Sequence, residues 1–236
     1  MSIITAKGSK VTENVNKKNV DFKKVYIRLK DGESVKVRIL GVEDFVEYKA
    51  HANGFNLGVY SQPCIAPTGV DCPLCVAHKS GVEGFEDPLK VTNRYMVAMA
   101  DIETGELRVW DCSKKQLKTF ISQLEEYKEI IEDGEELAFT FKRTGTGTET
   151  SYTLSPILKL KKDLQESYHK FDDQEVEVDF FETVLQPRSE KMMVSILKDA
   201  GFPTDEFFPH VQLDDESADN GVAPVEETED NPLDNI

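Results

Sequence analysis

Cys72-Pro-Leu-Cys75 places two thiols two residues apart, a spacing that lets both sulfurs converge on one ion. Cys64 precedes that pair with seven residues between, and Pro63, Pro67, Gly69 and Pro73 stiffen the loop. Three cysteines within twelve residues, punctuated by proline, point to metal binding, and a structural Zn²⁺ site takes four sulfur or nitrogen donors tetrahedrally. Spacing favours His51 as the fourth donor, with twelve residues between it and Cys64, and His78 and Cys112 are the alternatives. The expected ligand set is therefore His51, Cys64, Cys72 and Cys75 around one Zn²⁺ ion. A metal-free buried thiol cluster is the other reading. A Cys-x-x-Cys redox pair is a third, but the βαβ pattern that normally carries one is missing. A four-donor shell leaves no position for water, so such an ion would hold the loop rather than catalyse.

Other chemistry is sparse. There is no Ser-His-Asp constellation legible in sequence, no phosphate-binding glycine loop and no His-Glu-x-x-His. The histidines, His51, His78, His169 and His210, are scattered. The expectation is a protein that is not an enzyme.

The elements around the cluster read as mainly β with minor α. Val25 to Leu29 is β-rich, Asp31-Gly32 marks a turn, and Ser34 to Leu40 alternates, with Val35, Val37 and Ile39 on one face and Lys36 and Arg38 on the other: a hairpin pattern. Val42 to Lys49 and Phe55 to Tyr60 are further expected strands. Asn93 to Asp101 and Glu106 to Asp111 form a second hairpin, turning at Glu103-Thr104-Gly105. Leu117, Phe120, Ile121, Leu124 and Tyr127 recur at spacings of three and four, which predicts a helix over Lys114 to Ile131, capped by Asp111 or Ser113. Glu136 to Arg143 and Thr150 to Ile157 make a third hairpin. Leu158 to Lys170 reads as helix or connector, Val176, Val178 and Phe180 alternate, and Ser189 to Ala200 is a short helix stopped by Gly201-Phe202-Pro203. Strands, metal insert, strands, helix, strands is an order that suits an OB-fold, a five-stranded barrel used for oligonucleotides, though other small barrels share it. The expected organisation is a flexible basic segment over 1–22, a barrel core over 23–209 with the metal insert at about 50–90, and a disordered acidic tail over 210–236.

The 236-residue chain carries a net charge of −16, which taken whole argues against a nucleic-acid surface. Its distribution argues the other way. Residues 214–236 hold nine acids and no Lys or Arg; setting them aside brings the net charge to −7, and residues 1–38 carry +6. A basic front and an acidic back suggest a nucleic-acid surface followed by an acidic tail. The first ten residues lack the pattern of a secretory signal and no run is long enough for a membrane span, so the expected location is cytoplasmic, with no membrane partner.

His51…Cys64…Cys72-x-x-Cys75, following a basic β-rich stretch, resembles the zinc insert of phage single-stranded-DNA-binding proteins of the T-even helix-destabilising type. That family has a His, a Cys at this same distance and a Cys-x-x-Cys pair; the gap from Cys64 to Cys72 is shorter here. Asn93-Arg94-Tyr95-Met96-Val97-Ala98-Met99, Gly105, Arg108-Val109-Trp110 and Lys114-Lys115 are similar to the strands that follow its insert. The resemblance covers roughly residues 20–157 and the acidic tail. It implies an OB-fold that binds and protects single-stranded DNA during replication, recombination or repair, in the cytoplasm of an infected bacterial host. It also implies self-association along DNA through the basic N-terminus, although Lys7-Gly8-Ser9-Lys10 and Lys17-Lys18 do not reproduce that family's compact motif. The tail end, with Asp230, Pro232, Leu233 and Ile236, is similar to tails that recruit replication or recombination proteins.

A groove for single strands needs cations for phosphates and aromatic faces for bases. The candidates are Arg28, Lys36, Arg38, Arg94, Arg108, Lys114 and Lys115, with Tyr48, Phe55, Tyr60, Tyr95 and Trp110; Lys30, Lys142, Arg143 and Tyr152 sit on the same strands. The competing expectation is a zinc-stabilised adaptor or DNA mimic that binds other proteins through its tail.

Overall fold

Alternating apolar residues need a partner on each side, and β1 (Ser34–Arg38) finds both. It lies between β4 (Val91–Asp101), with Val37 opposite Asp101, and β6 (Ala138–Thr144), with Val35 opposite Phe141. The structure, a computed structural model, describes residues 21–213. The expected basic segment 1–22 falls almost wholly outside the described residues. So does most of the acidic tail, with Asp230, Pro232, Leu233 and Ile236.

From β1 the chain runs out through β2 (Phe45–His51), β3 (Gln62–Pro63) and a short helix, then returns as β4. α1 (Phe22–Val25) precedes β1, and the short helix is α2 (Pro73–Lys79). β2 runs along the first half of β4, from Phe45 opposite Val97 to His51 opposite Val91. β5 (Glu106–Cys112) runs along its other side, from Tyr95 opposite Cys112 to Asp101 opposite Glu106. β6 and β7 (Ser151–Ile157) form the last hairpin. The result is an antiparallel seven-stranded sheet in the order β3-β2-β4-β1-β6-β7, with β5 attached to β4.

The helix between β5 and β6 begins as the sequence indicates. Ser113 accepts from the Gln116 amide and Gln116 reaches back to the Ser113 amide, a capping box at the start of α3 (Lys114–Leu124). A 3₁₀ turn at Glu125–Tyr127 leads into α4 (Lys128–Glu132). Leu117, Phe120 and Leu124 pack on the face of the sheet that carries Val37, Val97, Trp110, Phe139 and Phe141. The opposite face of β4 and β5, with Met96, Ala98 and Val109, is covered by Phe181 and Val184 of α6 (Val178–Val184). Burial on both faces explains why Tyr95-Met-Val-Ala-Met-Ala100 is apolar throughout rather than alternating. The remaining helices are α5 (Lys162–His169), α7 (Glu190–Asp199), capped by Ser189, and α8 (Thr204–Phe207).

Four expectations are corrected. Val25 to Leu29 is not the hairpin partner of β1: both edges of β1 are taken by β4 and β6, and Tyr26 makes only an isolated parallel bridge to Val109. Phe55 to Tyr60 forms a 3₁₀ turn and loop, not a strand. Val176, Val178 and Phe180 do not form a strand either. The apolar sheet face selects the helical pair Phe181 and Val184 and leaves Val178 exposed. The chain also stays packed beyond 209, since Val211 and Leu213 rest against a cluster built on α2 and α7.

The sheet is mainly β and open; among the described residues no ladder joins β5 to β7. α3 fills that gap. The Gln123 side chain accepts from the Leu154 amide at 2.6 Å and donates to the Tyr152 carbonyl at 3.1 Å, so one amide stands in for a neighbouring strand at the free edge of β7. Gln123→Ala leaves both backbone groups unpaired, and we expect a loss of about 1–3 kcal/mol, read as a lower urea midpoint at unchanged slope. An unchanged midpoint would mean that water replaces the side chain at no cost.

Candidate metal centre

The four donors arrive from three elements. His51 ends β2, opposite Val91 of β4 and Gln62 of β3, and is 0% exposed. Cys64 follows β3 directly, and its amide donates to the Lys49 carbonyl at 2.8 Å, extending the β2–β3 pairing by one bond. Cys72 is the N-cap of α2 in an extended conformation (φ −92°, ψ 119°), with Pro73 in the first helical position, where a missing N–H costs nothing. Cys75 lies one turn in. The cap geometry turns both sulfurs of the Cys-x-x-Cys pair to the same side, toward the end of β2.

One donor atom from each of His51, Cys64, Cys72 and Cys75 lies within 4.8 Å of all the others. The His51 Nε2 is 3.4 Å from Cys72 Sγ and 3.7 Å from Cys75 Sγ, and Cys64 Sγ is 3.4 Å from Cys75 Sγ. A tetrahedron with Zn–S of about 2.3 Å and Zn–N of about 2.0 Å has edges of roughly 3.8 Å between sulfurs and 3.5 Å from nitrogen to sulfur. The donors therefore form a shell that could hold one metal ion. His51 is oriented from behind: its Nδ1 lies 2.6 Å from the Leu89 carbonyl, which can only accept. In the neutral ring this puts the proton on Nδ1 and aims the Nε2 lone pair at the sulfurs, the usual support for a metal-ligating imidazole.

The cluster also distributes charge unequally. The hydrogen bond from Cys75 holds Cys72 well below the usual thiol range despite its burial. The same bond to Cys72 pushes Cys75 up, and burial raises Cys64. The alternatives for the fourth donor lie elsewhere. His78, half-buried on α2, has its Nδ1 against the Glu86 carbonyl, and Cys112 is enclosed in the main core, where burial raises its pKa.

The centre has an apolar floor that the sequence did not reveal. Leu74 and Ala77 of α2 join Met193, Val194 and Leu197 of α7, and Phe85 meets Phe202 edge to face at 5.0 Å. The insert is therefore completed by residues 189–213, more than a hundred positions downstream. The apolar stripe of α7 was visible in sequence, but nothing there named its partner.

The candidate DNA-contacting residues divide sharply. Trp110 is 2% exposed and ringed by Phe120, Phe141 and Tyr152, with no face free for a base, and Tyr95 packs in the same core. Four cations are matched internally. Lys36 pairs with Glu103, Arg38 with Asp172 at 2.6 Å, Arg94 with Asp111 at 3.0 Å and Arg108 with the buried Asp101 at 2.7 Å. Arg38 also lies over the Tyr168 ring, and Tyr48, half-buried, donates to Asp111 at 3.0 Å. Arg143 holds the Leu29 carbonyl, and Tyr152 stacks on Phe141. Arg28, Lys30, Lys114, Lys115 and Lys142 are exposed, as is Tyr60, with Phe55 half-buried beside it. No helix among the described residues is long and apolar enough to cross a membrane.

No protein-family model matches the chain, and no curated protein is similar to it.

Because the donors and α7 share one cluster, stripping the metal should loosen both. We expect a chelator to lower the melting temperature by about 5 °C or more, each kcal/mol being worth roughly 2–4 °C at this size. It should also open the half-buried Arg188, at the start of α7, to trypsin. Unchanged melting and unchanged cleavage after Arg188 would show that no metal supports this region.

Proposed function

We propose that the chain binds single-stranded DNA without catalysing a reaction, using an OB-type core stabilised by one structural zinc ion. The observation that carries this reading is where the His/Cys cluster is inserted. β1, β4 and β5 form a meander, α3 follows, and the β6–β7 hairpin returns to place β6 against β1. This arrangement supports the reading of an OB-type core, a five-stranded and partly open barrel. β2, β3 and the metal donors enter between the first two of these strands, and the spacing His51…Cys64…Cys72-x-x-Cys75 is the one that resembles the phage zinc insert. The donor set suits zinc, being three sulfurs and one imidazole in a closed shell.

On this reading the exposed cations Arg28, Lys114 and Lys115 meet phosphates, and the core spans 23–213 rather than 23–209. The acidic tail recruits replication, recombination or repair proteins through Asp230, Pro232, Leu233 and Ile236. The basic N-terminus supports self-association along DNA, and the setting is the cytoplasm of an infected bacterial host. One observation favours the adaptor reading instead: Lys36, Arg38, Arg94 and Arg108 already have carboxylate partners.

Binding of the zinc-loaded full chain to labelled oligo-dT at two salt concentrations separates the two. A groove binder loses affinity as salt rises, with a log–log slope of about −0.7 for each phosphate neutralised. A version ending at Leu213, which keeps the packed residues and drops the acids, should bind more tightly. No binding by either version at low salt would leave the adaptor reading.

A further inference from the structure

The loop between the first two metal donors, His51 and Cys64, has an unusual backbone. Leu57 and Val59 amides both donate to the Gly54 carbonyl at 2.9 Å, and a Cβ on Gly54 would fall 2.8 Å from the Val59 Cβ, so only glycine fits there. Gly58 takes a left-handed conformation (φ 72°). Ser61 does too (φ 39°), and among the described residues it is the only one other than glycine to do so. Backbone strain of this kind survives only where the surroundings over-determine it, and it gathers at ligand-binding positions.

The strain has a specific consequence. In an extended chain Val59 facing in would put Tyr60 out, Ser61 in and Gln62 out. The kink at Ser61 resets that phase for Gln62 alone, turning it in at the start of β3, and Tyr60 faces out in either case. Val59 and Gln62 are both buried, and Tyr60 between them stands out at 51% exposure. Among the Phe, Tyr and Trp side chains that the structure describes, Tyr60 alone is exposed. Its ring meets Phe55 edge to face, centroids 5.1 Å apart and planes at 71°. This T-shaped contact braces the ring on one side and leaves about half of the residue open to solvent. Both ends of the loop are tied down, at His51 in β2 and at Cys64 beyond β3, so the ring is held out by the same residues that surround the metal.

We propose that Tyr60, braced by Phe55, is a stacking platform for one unpaired nucleobase. This rests on the single-strand reading above and names the contact the buried Trp110 and Tyr95 do not provide. A base suits the site because stacking needs an exposed π face and no sequence-specific hydrogen bonds.

The test uses the zinc-loaded full chain. Tyr60→Ala should weaken oligo-dT binding by about 5- to 100-fold, the range measured for loss of one stacked base. Tyr60→Phe should bind like the parent, and the salt slope should be the same in all three, since no phosphate contact is lost. Melting temperature should change little, because the ring is exposed. Independently, 5-iodouracil in the oligonucleotide should photo-crosslink to Tyr60 or Phe55. Parent-level binding by Tyr60→Ala, or crosslinks confined to other residues, overturns the platform while leaving single-strand binding intact; a protein partner would then be the use of the exposed ring. Failure of the parent chain itself to bind overturns the functional reading, and the platform with it.

Discussion

Everything on the outer side of β4 depends on four donors being brought within 4.8 Å of one another. β3 has only two residues, and its pairing with the end of β2 has little stability of its own. The loops beyond it, 52–61 and 65–71, are rich in glycine and exposed residues, and α2 is barely two turns. What gives this region one conformation is the convergence of His51, Cys64, Cys72 and Cys75, with the Leu89 carbonyl fixing the imidazole from behind. α7 adds the apolar floor. The region is therefore a small second core whose apolar residues are joined by four donors that could hold one metal ion.

The main core has the opposite character. It is aromatic, closely packed and independent of the cluster, with Trp110 at its centre and the α3 face closing it. Its charged residues are resolved within the fold: Asp101 takes Arg108 and the two turn amides of Glu103 and Thr104, so one buried carboxylate organises the whole β4–β5 turn. Removing one partner of so buried a pair would leave the other unmatched, a more costly change than losing a surface pair. The consequence for function is that the cations most prominent in the alternating strands serve the sheet first. Any nucleic-acid surface has to be built from what remains exposed, which shifts attention from the strands to the metal-tied loop and to the start of α3.

How much of this could be read from the chain depends on the range of the interaction concerned. The three cysteines and His51 were legible because ligand spacing and proline content are local signals. The β4–β5 and β6–β7 hairpins and α3 were legible for the same reason, from turn residues, periodicity and the Ser113 cap. Partner choice was not. That β1 pairs with β6, a hundred residues on, rather than with Val25–Leu29 follows from competition for its two edges. That Arg38 meets Asp172 is equally invisible at a separation of 134 residues. Trp110 misleads because Arg108, Trp110 and Cys112 share one side of β5, and alternation cannot reveal that both sides of that strand are covered. Segment 176–180 misleads in the same way: its alternation is real, but the buried face it meets rewards Phe181 and Val184 on a helix.

X-ray absorption at the zinc edge on protein purified without added chelator examines the central arrangement most directly. The expected result is one zinc per chain with three sulfurs at about 2.3 Å and one imidazole nitrogen at about 2.0–2.1 Å, the nitrogen shell vanishing in His51→Ala. A four-sulfur shell, which would require Cys112, or an oxygen in place of the nitrogen would contradict the arrangement, as would protein that folds and takes up no metal at all.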